Sequence, residues 1–221
     1  MDIISRHQIV EALRLADFDP APAQQLMAPV PRALRPSFDR FGRARQGAVM
    51  LLLYPGADGE ISTLLTRRPE TLNAHAGQIA FPGGRQDAGE ALTQTALRET
   101  FEEVGVWPRQ VDVLGALTTI YIPVTDYEVH PFVGWMPARP TFQPNTDEVA
   151  ELIETPLSLL LAPETRVVET WQLRGFDVLV PFFQVGEHKV WGATAIILSE
   201  FVERLRTVRA TRNIRSGNEI R

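Results

Sequence analysis

One segment constrains the fold of this chain more than any other, the helical stretch from about residue 90 to residue 104. Gly105 follows it at the position where helices commonly end. At about 100° per residue, the glutamates near its end fall within roughly 100° of arc on one helix face. These glutamates are Glu99, Glu102 and Glu103. Such a helix can bury its other side and present carboxylates to a cleft.

The opposite side of this helix carries Leu97, Phe101 and Val104, which we expect to anchor it in the core. An ordinary solvated face is the alternative interpretation of the acids. Like charges three and four residues apart disfavour a helix by roughly a few tenths of a kcal/mol per pair. No lysine lies on this helix to offset that cost. Carboxylate oxygens are the ligands that Mg²⁺ and Mn²⁺ prefer, so the pattern favours metal binding.

Runs with β character surround the helix. The apolar run 48–54 and the Asp58-Gly59 pair predict a hairpin into a second strand from Ile61. A short strand is predicted at 78–81, and Pro82, Gly83 and Gly84 are expected to break any regular element. Further strands are predicted at 111–117, 128–135, 148–153, 167–173 and 178–185. The mixture predicts an α+β sandwich.

Both ends of the chain are predicted to be helical. Ser5 and Gln8 resemble a capping box, and the helix after them is expected to end at the prolines. Those prolines stand at positions 20, 22, 29, 31 and 36. Thr155 and Pro156 fit the start of a short helix to Leu161, and another helix is predicted at 193–205. We divide the chain into an N-terminal helical extension (1–45) packed on the core, a main domain (46–205) and a polar tail (206–221) expected to fray.

Composition narrows the chemistry. A chain of 221 residues without cysteine can have neither a disulfide framework nor a thiolate metal site. The formal net charge of -5 gives no general attraction for polyanions, so we expect no nucleic-acid partner. No secretory signal and no membrane segment are visible, and a cytoplasmic location is expected. An anionic substrate would need a locally positive or metal-filled site.

The charged positions form a longer pattern. It reads Gly84, five residues, Glu90, seven residues, and then the run from Arg98 to Val106. This pattern resembles the signature of the Nudix hydrolase family, with Thr100 where an aliphatic residue is usual. At average residue frequencies, seven fixed positions would coincide by chance with a probability on the order of one in a million.

The resemblance implies a fold, a cofactor and residue roles. The fold would be a Nudix-type α/β/α sandwich with a mixed β-sheet and a central catalytic helix. Glu99, Glu102 and Glu103 would hold Mg²⁺ or Mn²⁺ at the diphosphate of a nucleotide substrate. Arg98 would pair with Glu90 and orient the acids. The general base varies in the family, and Glu102 and Glu148 are the catalytic candidates here.

A second resemblance narrows the substrate. Residues 64–68, 77, 81–84 and 190–195 look like the coenzyme A pyrophosphatase subgroup. This implies cleavage of coenzyme A, or of a derivative, into a 4′-phosphopantetheine part and adenosine 3′,5′-bisphosphate. Arg68, Gly83 and Gly84 are the expected substrate contacts.

Other interpretations stay open at this stage. Pro69 stands where the subgroup has serine or alanine, and Asn73 where it has arginine, so ADP-ribose, NADH or another nucleoside diphosphate derivative is an alternative substrate. A non-catalytic nucleotide sensor of the same fold is another, although such modules often lose box acids and this chain keeps them. His75 is interpreted as a structural group rather than a ligand. The oligomeric state is open, a homodimer included.

Overall fold

The computed structural model describes residues 4–31, 44–70, 77–123, 125–173 and 175–218, with side chains up to residue 212. In chain order the elements are α1 (Arg6–Leu13), α2 (Pro20–Gln25), β1 (Arg45–Pro55), β2 (Ile61–Arg67), β3 (Ile79–Ala80), β4 (Gly83–Arg85), α3 (Leu92–Val104), β5 (Asp112–Ala116), β6 (Ile120–Ile122), β7 (Tyr127–Trp135), β8 (Glu151–Pro156), α4 (Leu157–Leu161), β9 (Arg166–Leu173), β10 (Phe176–Val185), β11 (His188–Trp191) and α5 (Gly192–Asn218). The predicted α+β class is confirmed.

Strand β1 lies at the centre of a mixed sheet. It runs parallel to β7 and antiparallel to β2 and β4. Across the sheet the order is β3, β2, β1, β7, β5, with β8 on β2 and β6 on β7. β1 and β2 form the predicted hairpin, in which Leu53 lies opposite Thr63. β9, β10 and β11 form a separate antiparallel sheet.

Both faces of β1 are buried, which defines the layers. Side chains alternate along a strand, so Met50 and Leu52 pack with α3 on one side. Leu51 and Leu53 pack on the other side, in a core shared with α1 and α5. Helix α3 thus covers one face of the sheet, and the terminal helices cover the other. This is the sandwich that the sequence predicts.

The N-terminal residues form α1 and α2 rather than a single helix. The Ser5 hydroxyl accepts the Gln8 amide N–H at 3.3 Å, and Gln8 Oε1 accepts the Ser5 amide N–H at 2.8 Å, which confirms the capping box. The helix ends before any proline, and Pro20 begins α2. The predicted helix stop is therefore wrong, because proline's fixed φ suits the first turn of a helix. Of these prolines, Pro36 lies outside the described residues.

Helix α5 is longer than predicted. It continues beyond residue 205 to Asn218, so the predicted end of this helix at residue 205 is wrong. Val208 is buried, and Arg212 pairs with Glu11 of α1 at 3.0 Å, so α1 supports the extension. The division of the chain at residues 45 and 205 stays a prediction. None of the helices in the described ranges has the length and apolar character needed to cross a membrane.

The region around β8 differs from the prediction. β8 begins at Glu151 rather than at residue 148, and Thr155 and Pro156 are its last residues. Pro156 is also the N-cap of α4, so the helix to Leu161 begins one residue later than predicted. Pairing with β2 explains the shift, because Thr155 lies opposite Thr63 in the sheet. Strand β6 had no predicted counterpart, since three residues are too few for a periodic pattern.

Candidate active site

Helix α3 carries the predicted acids and begins at Leu92 rather than at Glu90. Ala91 is the N-cap residue, and its amide N–H donates to Gln94 Oε1 at 3.2 Å. Glu90 stays outside the helix, where its carboxylate accepts the Thr95 hydroxyl at 2.7 Å. This position leaves the Glu90 carboxylate available to a second partner on α3.

The buried side of α3 differs from the predicted one. Ala96, Thr100 and Val104 are fully buried. Phe101 is only half-buried and lies against Trp107, with ring centroids 4.2 Å apart, so its prediction as a core anchor is wrong. The Thr100 hydroxyl donates to the Ala96 carbonyl oxygen at 2.6 Å. Threonine is accommodated in the core because its hydroxyl bonds within the helix.

Arg98 is the centre of a charge network. Its Nε and Nη2 donate to the two carboxylate oxygens of Glu90 at 3.0 and 3.1 Å. Its Nη1 donates to Glu99 and Glu102, at 2.9 Å in both cases. Nη2 also donates to the Arg85 carbonyl oxygen at 3.0 Å, which holds the end of β4 against the helix. The Arg98 hydrogen bonds lower the pKa of Glu90 to about 2. The predicted pairing of Arg98 with Glu90 is present.

Glu103 is a buried carboxylate with one unsatisfied oxygen. Its residue is 3% exposed, and the Gly83 amide N–H donates to its carboxylate. Oε2 has no hydrogen-bond partner among the described residues. Burial, together with the nearby charges of Glu99 and Glu148, raises the pKa of Glu103 to about 8 against the opposing charge of Arg68. This oxygen is placed to meet a cation.

The glycines predicted as substrate contacts lie in β4, directly beside the acids. Gly84 pairs with Ala48 of β1, so the predicted break of regular structure at Gly83 and Gly84 is wrong. A Cβ on Gly84 would come 2.4 Å from the Glu99 Cδ, so a larger residue would displace the Glu99 carboxylate. Burial also raises the pKa of Glu99. The glycine makes room for an acid, and its contact with substrate stays a prediction.

Glu148 lies in a turn before β8, not at the strand edge where it was predicted. Its charge raises the pKa of both Glu99 and Glu103, so its carboxylate faces the acidic side of α3. The turn reaches the helix because the Asn145 amide N–H donates to the Glu103 carbonyl oxygen at 2.9 Å. Asn145 carries no local sequence signal for this contact, since the contact joins segments far apart in the chain.

Arg68 follows β2 and approaches the same acids. Its positive charge opposes the rise in the pKa of Glu103, which places the guanidinium close to that carboxylate. Its Nε is buried without a hydrogen-bond partner in the described part of the chain. Neighbouring strand residues point to opposite faces, so Arg67 is directed away from the acids. Asn73 and His75 lie outside the described residues.

The acidic face fits a hard divalent cation. It offers carboxylate oxygens, one of them buried and unsatisfied on Glu103, and the charges of Glu99 and Glu148 converge on it. Over the ranges that the structure describes, no group of three or more His, Asp or Glu side chains is arranged so that it could hold a metal ion. Glu99 and Glu102 instead form ion pairs with the Arg98 guanidinium. Two of the predicted ligands, Glu99 and Glu102, are therefore paired with a guanidinium, whereas Glu103 is not.

Comparison with known proteins identifies the family. The NUDIX domain model matches residues 44–171. "Uncharacterized Nudix hydrolase NudL" of Pectobacterium atrosepticum is 40% identical over 174 residues, which are 76% of this chain and 86% of that protein. Nudix hydrolase 3 of Caenorhabditis elegans is 32% identical over 167 residues, which are 74% and 69% of the two chains. The chain belongs to the Nudix family, whose hydrolases act on diphosphate bonds and generally use divalent metal ions.

Solved structures agree on the fold. A MutT/nudix family protein from Enterococcus faecalis superposes with a TM-score of 0.55 at 14% identity, covering 93% of this chain and 76% of that one. The Nudix hydrolase RenU from M. smegmatis gives a TM-score of 0.50 at 22% identity, covering 80% and 93%. At these identities the likeness shows the fold alone, and it is the Nudix fold predicted from the sequence.

Proposed function

We propose that this protein is a metal-dependent diphosphatase of coenzyme A or its derivatives, which releases 4′-phosphopantetheine and adenosine 3′,5′-bisphosphate. The observation that carries this proposal is Arg68, which the upstream resemblance marks as a substrate contact. Its guanidinium lies near Glu103 and keeps a buried Nε without a partner among the described residues. A cation beside a metal site is suited to a phosphate oxygen of an anionic substrate.

We assign the acids of α3 as ligands of Mg²⁺ or Mn²⁺. Glu99, Glu102 and Glu103 would hold the metal, which when bound neutralises charge on the diphosphate and activates a water. Arg98 would orient Glu99 and Glu102 through its hydrogen bonds at 2.9 Å. Glu102 and Glu148 are the candidate general bases. Of these, Glu148 comes from outside the helix, and its charge acts on Glu103.

The experiment is a mass-spectrometric screen of coenzyme A, an acyl derivative, ADP-ribose and NADH with Mg²⁺ or Mn²⁺. We expect coenzyme A to be cleaved fastest. Arg68→Ala should raise KM for coenzyme A at least tenfold, because it removes the cation from the acidic site. Arg67→Ala is the matched control, since Arg67 pairs with Glu151 at 2.9 Å and not with the acids of α3. We expect it to change KM less than threefold.

Several results would contradict the proposal. Cleavage of ADP-ribose or NADH without cleavage of coenzyme A would assign another nucleoside diphosphate derivative as the substrate. Activity on none of the four compounds would favour the non-catalytic sensor. Equal effects of Arg68→Ala and Arg67→Ala would remove Arg68 from the substrate contacts, since both changes delete one positive charge from the same end of β2.

A further inference from the structure

The segment 143–149, which we name the latch loop, is attached to the C-terminal end of α3. The last carbonyls of a helix lack partners within the helix. Here the Gln143 amide N–H donates to the Val104 carbonyl oxygen at 2.9 Å, and the Asn145 amide N–H donates to the Glu103 carbonyl oxygen at 2.9 Å. The loop is therefore fixed to the two residues that end the acid-bearing helix.

Gly105 permits this close approach. Its φ of 76° is left-handed, and a Cβ there would come 2.7 Å from the Gln143 Cβ. A residue with a side chain would push the latch loop away from α3. Gly105 thus ends the helix and also leaves room for the latch loop, a segment about forty residues further along the chain.

Asn145 also organises the turn that follows it. Its side-chain Oδ1 accepts the Asp147 amide N–H at 3.2 Å, in the manner of a helix N-cap. Its carbonyl oxygen accepts the amide N–H groups of Glu148 at 3.0 Å and Val149 at 2.8 Å. Its Nδ2 lies 3.5 Å from Glu148 Oε1, at the long end of hydrogen-bond distance. The side-chain Oδ1 and the carbonyl oxygen of Asn145 thus help to define the backbone around Glu148.

The exit of the latch loop is anchored as well. Val149 is buried, and the Ala150 amide N–H donates to the Arg67 carbonyl oxygen at 2.8 Å. Glu148 therefore lies between two attachments, one at the end of α3 and one at the end of β2. A turn held at both ends gives the carboxylate a restricted set of positions.

We propose that Asn145 is a positioning residue, which holds the turn that directs the Glu148 carboxylate toward Glu99 and Glu103. This inference rests on the proposed function of the acidic face as a metal-dependent diphosphatase site. The half-buried Glu148 side chain faces those acids, and its charge acts on both of them. Asn145 itself contributes through the turn and not through the substrate.

A double-mutant cycle between Asn145 and Glu148 tests the proposal. Asn145→Ala should lower kcat about tenfold, with KM changed less than twofold, because the acid is misplaced while the substrate contacts remain. In a Glu148→Ala background the same change should alter kcat less than twofold, since the acid that it positions is already gone. Thr146→Ala, an exposed change in the same turn, is the matched control. Additive losses along the cycle would overturn the proposal.

A conservative variant and a second readout exclude a general loss of structure. Asn145→Ser keeps a capping acceptor for the Asp147 amide and should retain kcat within threefold of the wild type. Hydrogen exchange of the metal-free protein should be at least tenfold faster in Asn145→Ala at residues 147–149, with α3 unchanged. Unaltered exchange there, or a serine variant as impaired as the alanine variant, would contradict the capping role.

The cycle separates this inference from the substrate proposal. It is measured on whichever compound of the screen the wild-type protein cleaves fastest. Cleavage of ADP-ribose in place of coenzyme A would overturn the substrate proposal, and the same cycle on ADP-ribose would then decide the role of Asn145. Hydrogen exchange decides the capping geometry without any substrate.

Discussion

Two glutamates of this protein are almost fully buried in helices, and they have opposite environments. Glu200 of α5 is 1% exposed, and both of its carboxylate oxygens accept hydrogen bonds. Oε1 accepts the amide and hydroxyl of Thr118 at 3.2 and 3.0 Å and the Arg204 Nε at 3.0 Å. Oε2 accepts the Gln24 Nε2 at 3.0 Å. This carboxylate joins α2, the connection between β5 and β6, and α5.

Glu103 of α3 is buried to a similar extent as Glu200, but its carboxylate has far fewer hydrogen-bond partners. It accepts one backbone N–H, from Gly83, and its Oε2 has no partner in the described residues. Its charged neighbours include the carboxylates Glu99 and Glu148, with Arg68 as the opposing cation. A buried charge with all its partners stabilises a fold, whereas a buried charge without them marks a site. The same side chain thus has a structural role in α5, and we propose a functional role for it in α3.

The largest effect should come from Glu200→Gln. This change leaves Arg204 buried without its counter-charge, so we expect the free energy of unfolding to fall by about 3 kcal/mol. Urea unfolding measures it, and kcat at a temperature where the variant is folded should stay within twofold of wild type. Glu169→Gln is the control, because its ion pair with Lys189 is exposed to solvent and should contribute far less to the free energy of unfolding. A loss no larger than the control would break the comparison.

Glu103→Gln should lower the catalytic rate and leave the stability of the fold intact, the reverse of what we expect for Glu200→Gln. We expect kcat with saturating Mg²⁺ to fall at least a hundredfold, about 2.7 kcal/mol in activation free energy, because a ligand charge is lost. The metal-free variant should be at least as stable as the wild type, since it removes a desolvated charge. Steady-state kinetics and urea unfolding test the two halves separately. An unchanged rate would remove Glu103 from the metal ligands.

The stability of the protein as a function of pH should show the effect of burying the Glu103 carboxylate. The pKa of Glu103 rises from 4.5 to about 8 on folding, so the folded state keeps a proton that the unfolded state has lost between these values. The resulting stability is present below pH 4.5 and is lost as the pH rises through 8. In the presence of EDTA, wild type should therefore lose stability relative to Glu103→Gln over this window, by at most about 1.4 kcal/mol per pH unit. A constant difference would contradict the burial of this charge.

Much of the site could be predicted because it lies within one helix. The spacing of Glu99, Glu102 and Glu103 follows from the helical period, and Gly105 ends the helix as expected. The pairing of Arg98 with Glu90 was predictable as well, since the two residues are close in the chain. Nudix membership was also predictable, because the signature is local.

The wrong predictions concern residues whose environment is formed by segments far apart in the chain. Gly83 and Gly84 look like a break in regular structure, yet they form β4 because β1 offers them a partner edge. Phe101 looks like a core residue, yet Thr100 occupies the core because the row of Ala96 and Val104 faces β1. Each error came from assigning an environment to a residue from its own neighbours in sequence.

By itself, the sequence determined the family, the acid-bearing helix and the hairpin before it, since each depends on the spacing of residues within one short stretch. The tertiary structure decided which of the acids is buried and unsatisfied. It also decided that Arg68 and Glu148 reach the site from β2 and the latch loop. The physical reason is that burial and charge contact depend on strand pairing and loop attachment between segments far apart in the chain, which the local pattern of residues does not specify.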